Sequence, residues 1–261
     1  MSLLAVAAGK DTRGVTTACL ALGAVWPTAR PLLLAECDPA GGTLAARFGL
    51  PATPGLVSLA SAGRRGLSPQ AVAGHLQRLP AGGLDVLLGT AHAEQATALG
   101  RLWADLAAVL GGLDGDVIAD CGRLGPADPT GPVVEAAAVV LLVCEPTSEG
   151  VVHLQGRVEA LARRSVTPAV VLLGQAPYGP GEVQAALAAD HPAVAVLGVL
   201  ARDPAAAALL GGRPGSPRRL ARSLLVRSAR AVAGQLHARL HPPPAVPADD
   251  AAAATPAGVD A

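Results

Sequence analysis

Aromatic side chains and lysine are close to absent from this chain. Trp26, Phe48, Trp103 and Tyr178 are the only aromatics among 261 residues, and Lys10 is the only lysine, so arginine supplies 19 of the 20 basic residues. The hydrophobic fraction is 51%, much of it alanine, so a core has to be built from Leu, Val and Ala. Abundant Ala, Gly, Pro and Arg reflect a GC-rich coding bias, which also thins out lysine. The formal net charge is +0, which argues against a globally basic nucleic-acid binder. The four cysteines (Cys19, Cys37, Cys121, Cys144) stand far apart with no CxxC pair, a pattern of reduced thiols that argues against an iron–sulfur or other metal site. No run of 18 apolar residues occurs, and the opening residues lack a charged region followed by a signal core, so a cytoplasmic location is expected.

Short apolar runs do occur, at Leu3–Ala7, Pro31–Ala35, Leu84–Leu88, Val117–Ala119, Val139–Val143, Ala169–Leu173 and Val194–Val199. Helical patterns lie between them at Thr16–Val25, Thr43–Phe48, Pro69–Leu79, Ala93–Leu110, Val151–Arg163 and Pro180–Ala188. Such alternation specifies βαβ crossovers. The expected fold is an α/β, doubly wound, mostly parallel sheet with helices on both faces. Ligands of such sheets bind beyond the carboxyl ends of the strands. A last helix is expected from Ser216-Pro217 to about Leu240, completing a domain over 1–240, and the Pro/Ala-rich stretch 241–261 is expected to be a disordered tail.

The first strand run leads into Gly9-Lys10-Asp11-Thr12-Arg13-Gly14-Val15-Thr16-Thr17 and then a helical pattern. A phosphate-binding loop needs glycine for close backbone approach, a hydroxyl for Mg²⁺ and a following helix. Three later segments end strands in acids or a polar turn: Glu36-Cys37-Asp38-Pro39-Ala40-Gly41-Gly42, then Asp116–Gly122 ending in Asp120, then Ala138–Thr147.

In this order the four segments resemble the ParA/MinD family of P-loop ATPases, the branch with the deviant Walker A motif. Lys10 matches its signature lysine, Gly14 the glycine before the phosphate-gripping lysine, and Thr16 the magnesium-coordinating hydroxyl. Glu36 and Asp38 resemble the paired acids of the second motif, and Asp120 the Walker B acid. The resemblance implies ATP and Mg²⁺ as cofactors. Backbone N–H groups over Lys10, Asp11, Thr12, Arg13, Gly14, Val15, Thr16 and Thr17 would cradle phosphates, aided by the positive end of the next helix. It assigns the metal to Thr16 and Asp120, the attacking water to Asp38, and contact with a dimer partner's phosphates to Lys10.

Five positions depart from the pattern. Val15 stands where the phosphate-gripping lysine belongs, a loss expected to cost roughly 10²–10³-fold in rate. Asp11 replaces a glycine and adds a like charge beside phosphate, with Arg13 the nearest compensating cation. Gly122 and Arg123 stand where the family has a proline. Gln175 stands where it has an adenine-reading Asn.

Plainer readings accompany these. Asp38 and Asp120 can simply cap turns, and Glu36 can pair locally or face solvent. Cys37 and Cys121 read as small buried residues, and Trp26 and Trp103 as core or interface anchors. His75, His92, His153, His191, His237 and His241 show no ligand spacing and read as surface or packing residues.

Along the last helix Leu220, Leu224, Leu225, Val232, Leu236 and Leu240 share one face at 100° per residue, with Arg219, Arg222, Arg227 and Arg230 opposite. That basic face is either solvated, a non-specific DNA patch, or an anionic-membrane contact. Nothing after Leu240 is amphipathic, which disfavours the membrane. Three functional readings result: a dimerising, nucleotide-responsive switch working with a partner protein of a partitioning, division or secretion system; a pseudo-ATPase scaffold; and a metabolic P-loop ligase or kinase.

Overall fold

The computed structural model describes residues 2–9, 12–63, 66–80, 83–125 and 128–242. Its strands are β1 (Ser2–Ala8), β2 (Leu32–Glu36), β3 (Gln77–Arg78), β4 (Asp85–Leu87), β5 (Asp116–Arg123), β6 (Val139–Cys144), β7 (Ala169–Leu173) and β8 (Ala195–Leu200). They form one sheet in the order β3-β4-β2-β5-β1-β6-β7-β8, parallel throughout except for the short edge strand β3. The helices are α1 (Val15–Gly23), α2 (Leu44–Phe48), α3 (Leu56–Ala62), α4 (Pro69–Ala73), α5 (Ala93–Ala98), α6 (Leu102–Gly112), α7 (Gly131–Ala136), α8 (Ser148–Ala162), α9 (Pro180–Ala188), α10 (Pro204–Leu210), α11 (Pro217–Ala221) and α12 (Leu224–Leu240). The expected doubly wound fold is present.

Period-two alternation sorts the strand residues into two cores. Leu3, Ala5 and Ala7 of β1 pack with Val117, Ala119 and Cys121 of β5 under α6, α7 and α8. Leu4, Val6 and Ala8 face the other way, with Ile118, toward α1, α10 and α12. Asp116 and Asp120 share the alternation of Ile118 and therefore lie on the α1 side. Register pairs Glu36 with Asp120 on neighbouring strands. Both carboxylates thus end adjacent strands on one face.

Several elements differ from the sequence reading. The Pro69–Leu79 pattern stays helical only to Ala73; the Gly74 N–H closes on Gln70 and the chain turns into β3. The Ala93–Leu110 pattern breaks into α5 and α6 at Gly100, whose φ is 50°. The terminal helix is also two helices, because Ser223 is extended and its hydroxyl, accepting from the Val226 N–H, caps a new start at Leu224. Leu224 consequently points outward at 61% exposure instead of joining the apolar face, which is made by Leu225, Val226, Ala229, Val232, Ala233, Leu236 and Leu240. The folded unit includes His241, whose N–H still bonds to the His237 carbonyl. The proposed tail lies, from residue 243 onward, outside the described residues. No helix among the described residues is long and apolar enough to cross a membrane.

Candidate nucleotide site

β1 delivers the chain to the edge formed by the strands' carboxyl ends, and α1 starts from there. Gly14 is the N-cap of α1 with φ 103°, a conformation that favours glycine, and no side chain among the described residues caps the helix. Its first N–H groups therefore face the loop with the positive end of the helix dipole. Lys10 and Asp11 lie outside the described residues. Thr12 is buried, Arg13 is exposed, and Thr16 and Thr17 are half-buried. Val15 is 5% exposed and packs in the α1-side core with Leu4 and Val6. At the position where the family resemblance calls for a cation, the chain has a core residue.

Asp120 lies near the carboxyl end of β5, on the α1 side of the sheet. Its Oδ1 accepts from the Gly122 N–H at 3.1 Å. Its Oδ2 is buried with no hydrogen-bond partner among the described residues. Burial pushes this carboxyl up from 3.8 to about 6, opposed by the Thr16 hydroxyl and the Gly122 N–H. A buried carboxylate oxygen with nothing to bind, beside a threonine hydroxyl, is the donor set a hard divalent cation takes. Thr16 and Asp120 therefore fit Mg²⁺.

Asp38 lies near enough for its charge to raise the Asp120 carboxyl further. It accepts from the Ala40 N–H at 2.9 Å, and burial raises its pKa while Arg123 opposes the rise. Gly122 makes its approach possible: φ is 58°, and a Cβ there would overlap the Asp38 carboxyl. The glycine in place of the family's proline is thus what lets Asp38 fold over the end of β5.

Glu36 does not face solvent. It is 3% exposed, and its Oε1 accepts from the N–H groups of Thr43 (2.6 Å) and Leu44 (2.9 Å), its Oε2 from Gly89 (3.0 Å). Thr43 makes no side-chain cap for α2, so Glu36 caps that helix from the neighbouring strand. It thereby pins both ends of the Asp38-to-Gly42 loop. Sequence reasoning missed this role because Gly89 is 53 residues away.

Elsewhere on this edge, Arg202 pairs with Glu145 at 2.8 Å and donates to the Leu173 carbonyl, while Gln175 is exposed. All four cysteines are free and buried, and burial raises the thiols of Cys19, Cys37 and Cys121 well above their ordinary value and Cys144 to about 11. They are inert packing residues. Trp103 is a core anchor, its Nε1–H donating to the Ala96 carbonyl. Arg219, Arg222, Arg227 and Arg230 are all exposed, on α11, α12 and the turn between them. His237 and His241 lie one turn apart, their rings 4.5 Å apart beside Asp116. Read from the sequence as packing residues, the two histidines stand four apart at a helix end, which is a ligand spacing.

The fold that carries this edge has counterparts among solved structures. The MinD septum site-determining protein of Pyrococcus horikoshii, complexed with Mg-ADP, aligns at TM-score 0.72 and 17% identity over 90% of this chain and 95% of that one. The fold is that of the MinD and ParA ATPases. An ATP complex of Cyanothece McdA aligns at TM-score 0.68 and 16% identity, covering 91% of this chain and 96% of its own. Cobyrinic acid a,c-diamide synthase of Mycobacterium smegmatis, with an ATP analogue and magnesium, reaches TM-score 0.65 and 21% identity over 93% and 96%. No protein-family profile and no curated sequence matches the chain.

Proposed function

We propose that the chain binds ATP with Mg²⁺ and acts as a dimerising positioning switch whose hydrolysis is slow. The observation that carries this reading is the buried, unpartnered Oδ2 of Asp120 beside Thr16, at the foot of an uncapped helix. The backbone N–H groups from Asp11 to Thr17 would receive the phosphates, Thr16 and Asp120 would hold the metal, and Asp38 would orient the attacking water. Bound Mg²⁺ supplies neutralisation of charge on phosphate oxygens. Lys10 reaches the phosphates of a partner subunit, and the dimer engages a protein of a partitioning, division or secretion system. Structural neighbours named for septum placement and for the ParA family support this role over a biosynthetic one, as does the Asp38-Pro39-Ala40-Gly41-Gly42 segment.

Calorimetric titration with ATP, ADP and a non-hydrolysable analogue, with and without Mg²⁺, tests the reading. Micromolar, Mg²⁺-dependent binding, with ATP-driven dimerisation by light scattering that Lys10→Ala weakens, is the expected result. No heat and no melting shift with any nucleotide would instead leave a pseudo-ATPase scaffold, the reading that the core position of Val15 favours.

Val15→Lys puts the missing charge at the start of α1. Hydrolysis is expected to rise by up to about 10²-fold, at some cost in stability because Val15 is buried. A flat rate in a folded variant would place the defect elsewhere in the site.

The exposed arginines of α11 and α12 are the proposed DNA contact. Retention on DNA is expected to weaken steeply between low and moderate salt, and Arg219→Ala with Arg222→Ala should flatten that slope by about two phosphate contacts. Salt-independent retention, or none, would leave a solvated basic face.

A further inference from the structure

At the end of the sheet opposite the nucleotide site, the first residue of β5 carries a carboxylate that the proposed function does not use. Asp116 is 1% exposed. Its Oδ2 accepts from the Trp26 Nε1–H at 2.9 Å, and its Oδ1 lies 2.9 Å from His241 Nε2. Its ion-pair partner among the described residues is this histidine, which is charged only when protonated. Burying a carboxylate is costly unless a cation answers it.

We propose that Asp116, His237 and His241 bind a divalent transition metal of the zinc class, fastening the end of α12 to the sheet. The three residues bring one ligand atom each to within 4.8 Å of one another. A tetrahedral site with bonds of about 2.0–2.2 Å holds its ligand atoms roughly 3.3 Å apart. The 2.9 Å contact is tighter than that and the widest separation, up to 4.8 Å, is looser, so side-chain rotations have to draw the ligand atoms together.

Two imidazoles and one carboxylate suit zinc, cobalt, nickel or copper, and suit magnesium and calcium poorly. The supporting bonds are already in place. Trp26 holds the far oxygen of Asp116, which leaves Oδ1 facing the histidines. Trp26 also meets the His237 ring edge-on, with centroids 6.1 Å apart. The helical bond from the His241 N–H to the His237 carbonyl, 2.9 Å, keeps the rings one turn apart. An ion pair between Asp116 and His241 alone would have no use for His237. Both histidines are partly exposed, so ions can enter and water can take the remaining position. Asp120 lies four residues further along β5, about 13 Å away, so this site is separate from the nucleotide edge.

The test uses the tag-free, full-length chain, stripped with chelator, and titrates it with ZnCl₂ followed by melting temperature and with CoCl₂ followed by visible absorption. One equivalent of Zn²⁺ is expected to raise the melting temperature by several degrees, reversibly with chelator. Co²⁺ should give the strong visible bands of four- or five-coordinate cobalt. His237→Ala keeps the Asp116–His241 contact, so it should melt like the metal-free wild type while losing both signals. Three results would overturn the proposal: no saturable signal, cobalt bands that persist in His237→Ala, or a thiolate charge-transfer band marking cysteine ligation. Failure of ATP to bind would leave it untouched.

Discussion

Asp120→Asn is expected to melt above the wild type when Mg²⁺ and nucleotide are absent, and to lose all Mg²⁺-dependent stabilisation. Burial raises the Asp120 carboxyl from 3.8 to about 6, so the folded protein holds this proton more tightly than the unfolded chain does. For an acid raised in this way, the folded state binds the extra proton between roughly pH 4 and 6, and stability falls as pH rises through that window. Above it the full penalty remains, on the order of 3 kcal/mol at 1.36 kcal/mol per pH unit. Asparagine carries no charge, and its amide has the Thr16 hydroxyl and the Asp38 carboxyl for company. A gain of roughly 6–12 °C at pH 8 follows, since 1 kcal/mol moves the melting point of a chain this size by about 2–4 °C.

Below about pH 4 the two proteins should melt together, because Asp120 is then neutral in both states. Mg²⁺ with ATP should reverse the order at pH 8, as the wild type gains ligand stabilisation that the variant cannot. A variant that melts below the wild type at pH 8 without ligand would mean that the Asp120 charge already has a partner. The same proton predicts that Mg²⁺ affinity weakens as pH falls below 6, since a metal must displace it.

Most of the fold is legible in the sequence because buried parallel strands leave a strong local trace. Leu3–Ala7 and Val139–Val143 are continuous apolar runs, and both are strands within a residue or so. Asp38, Thr16 and Asp120 are also legible, since each ends or follows a strand on the carboxyl side of the sheet, where the topology must bring them together. Features smaller than a helical repeat leave little trace. α3, α7 and α10 have seven, six and seven residues, and β3 has two. Periodicity cannot register over such lengths.

Interactions that depend on register across the sheet are equally hidden. Asp116 reads as an ordinary acid at the start of an apolar run, yet its partners lie 90 and 125 residues away. Val15 shows the converse. Its sequence position announces a missing lysine, but only packing shows the side chain turned into the core.

Glu36→Ala is expected to be among the most destabilising single substitutions outside the apolar core, by about 3–5 kcal/mol. Three N–H groups depend on this carboxylate, those of Thr43, Leu44 and Gly89. Hydrogen bonds to a charged group contribute about 1.5–3 kcal/mol each, and a buried donor left unpaired costs about 1–3 kcal/mol. Water cannot readily replace the lost oxygens, because Gly42 and Gly89 close directly onto the side chain and a Cβ at either would collide with Glu36. Glu36→Gln keeps an acceptor for Thr43 and Leu44 but turns an NH₂ group toward the Gly89 N–H. Its loss should be intermediate, about 1–3 kcal/mol. Both variants free the loop that carries Asp38, so nucleotide affinity should fall even under conditions where the glutamine variant stays fully folded. Denaturant unfolding alongside ATP titration separates the two effects. If the alanine variant unfolds within 1 kcal/mol of the wild type, the three N–H groups have found other acceptors and Glu36 does not hold the loop.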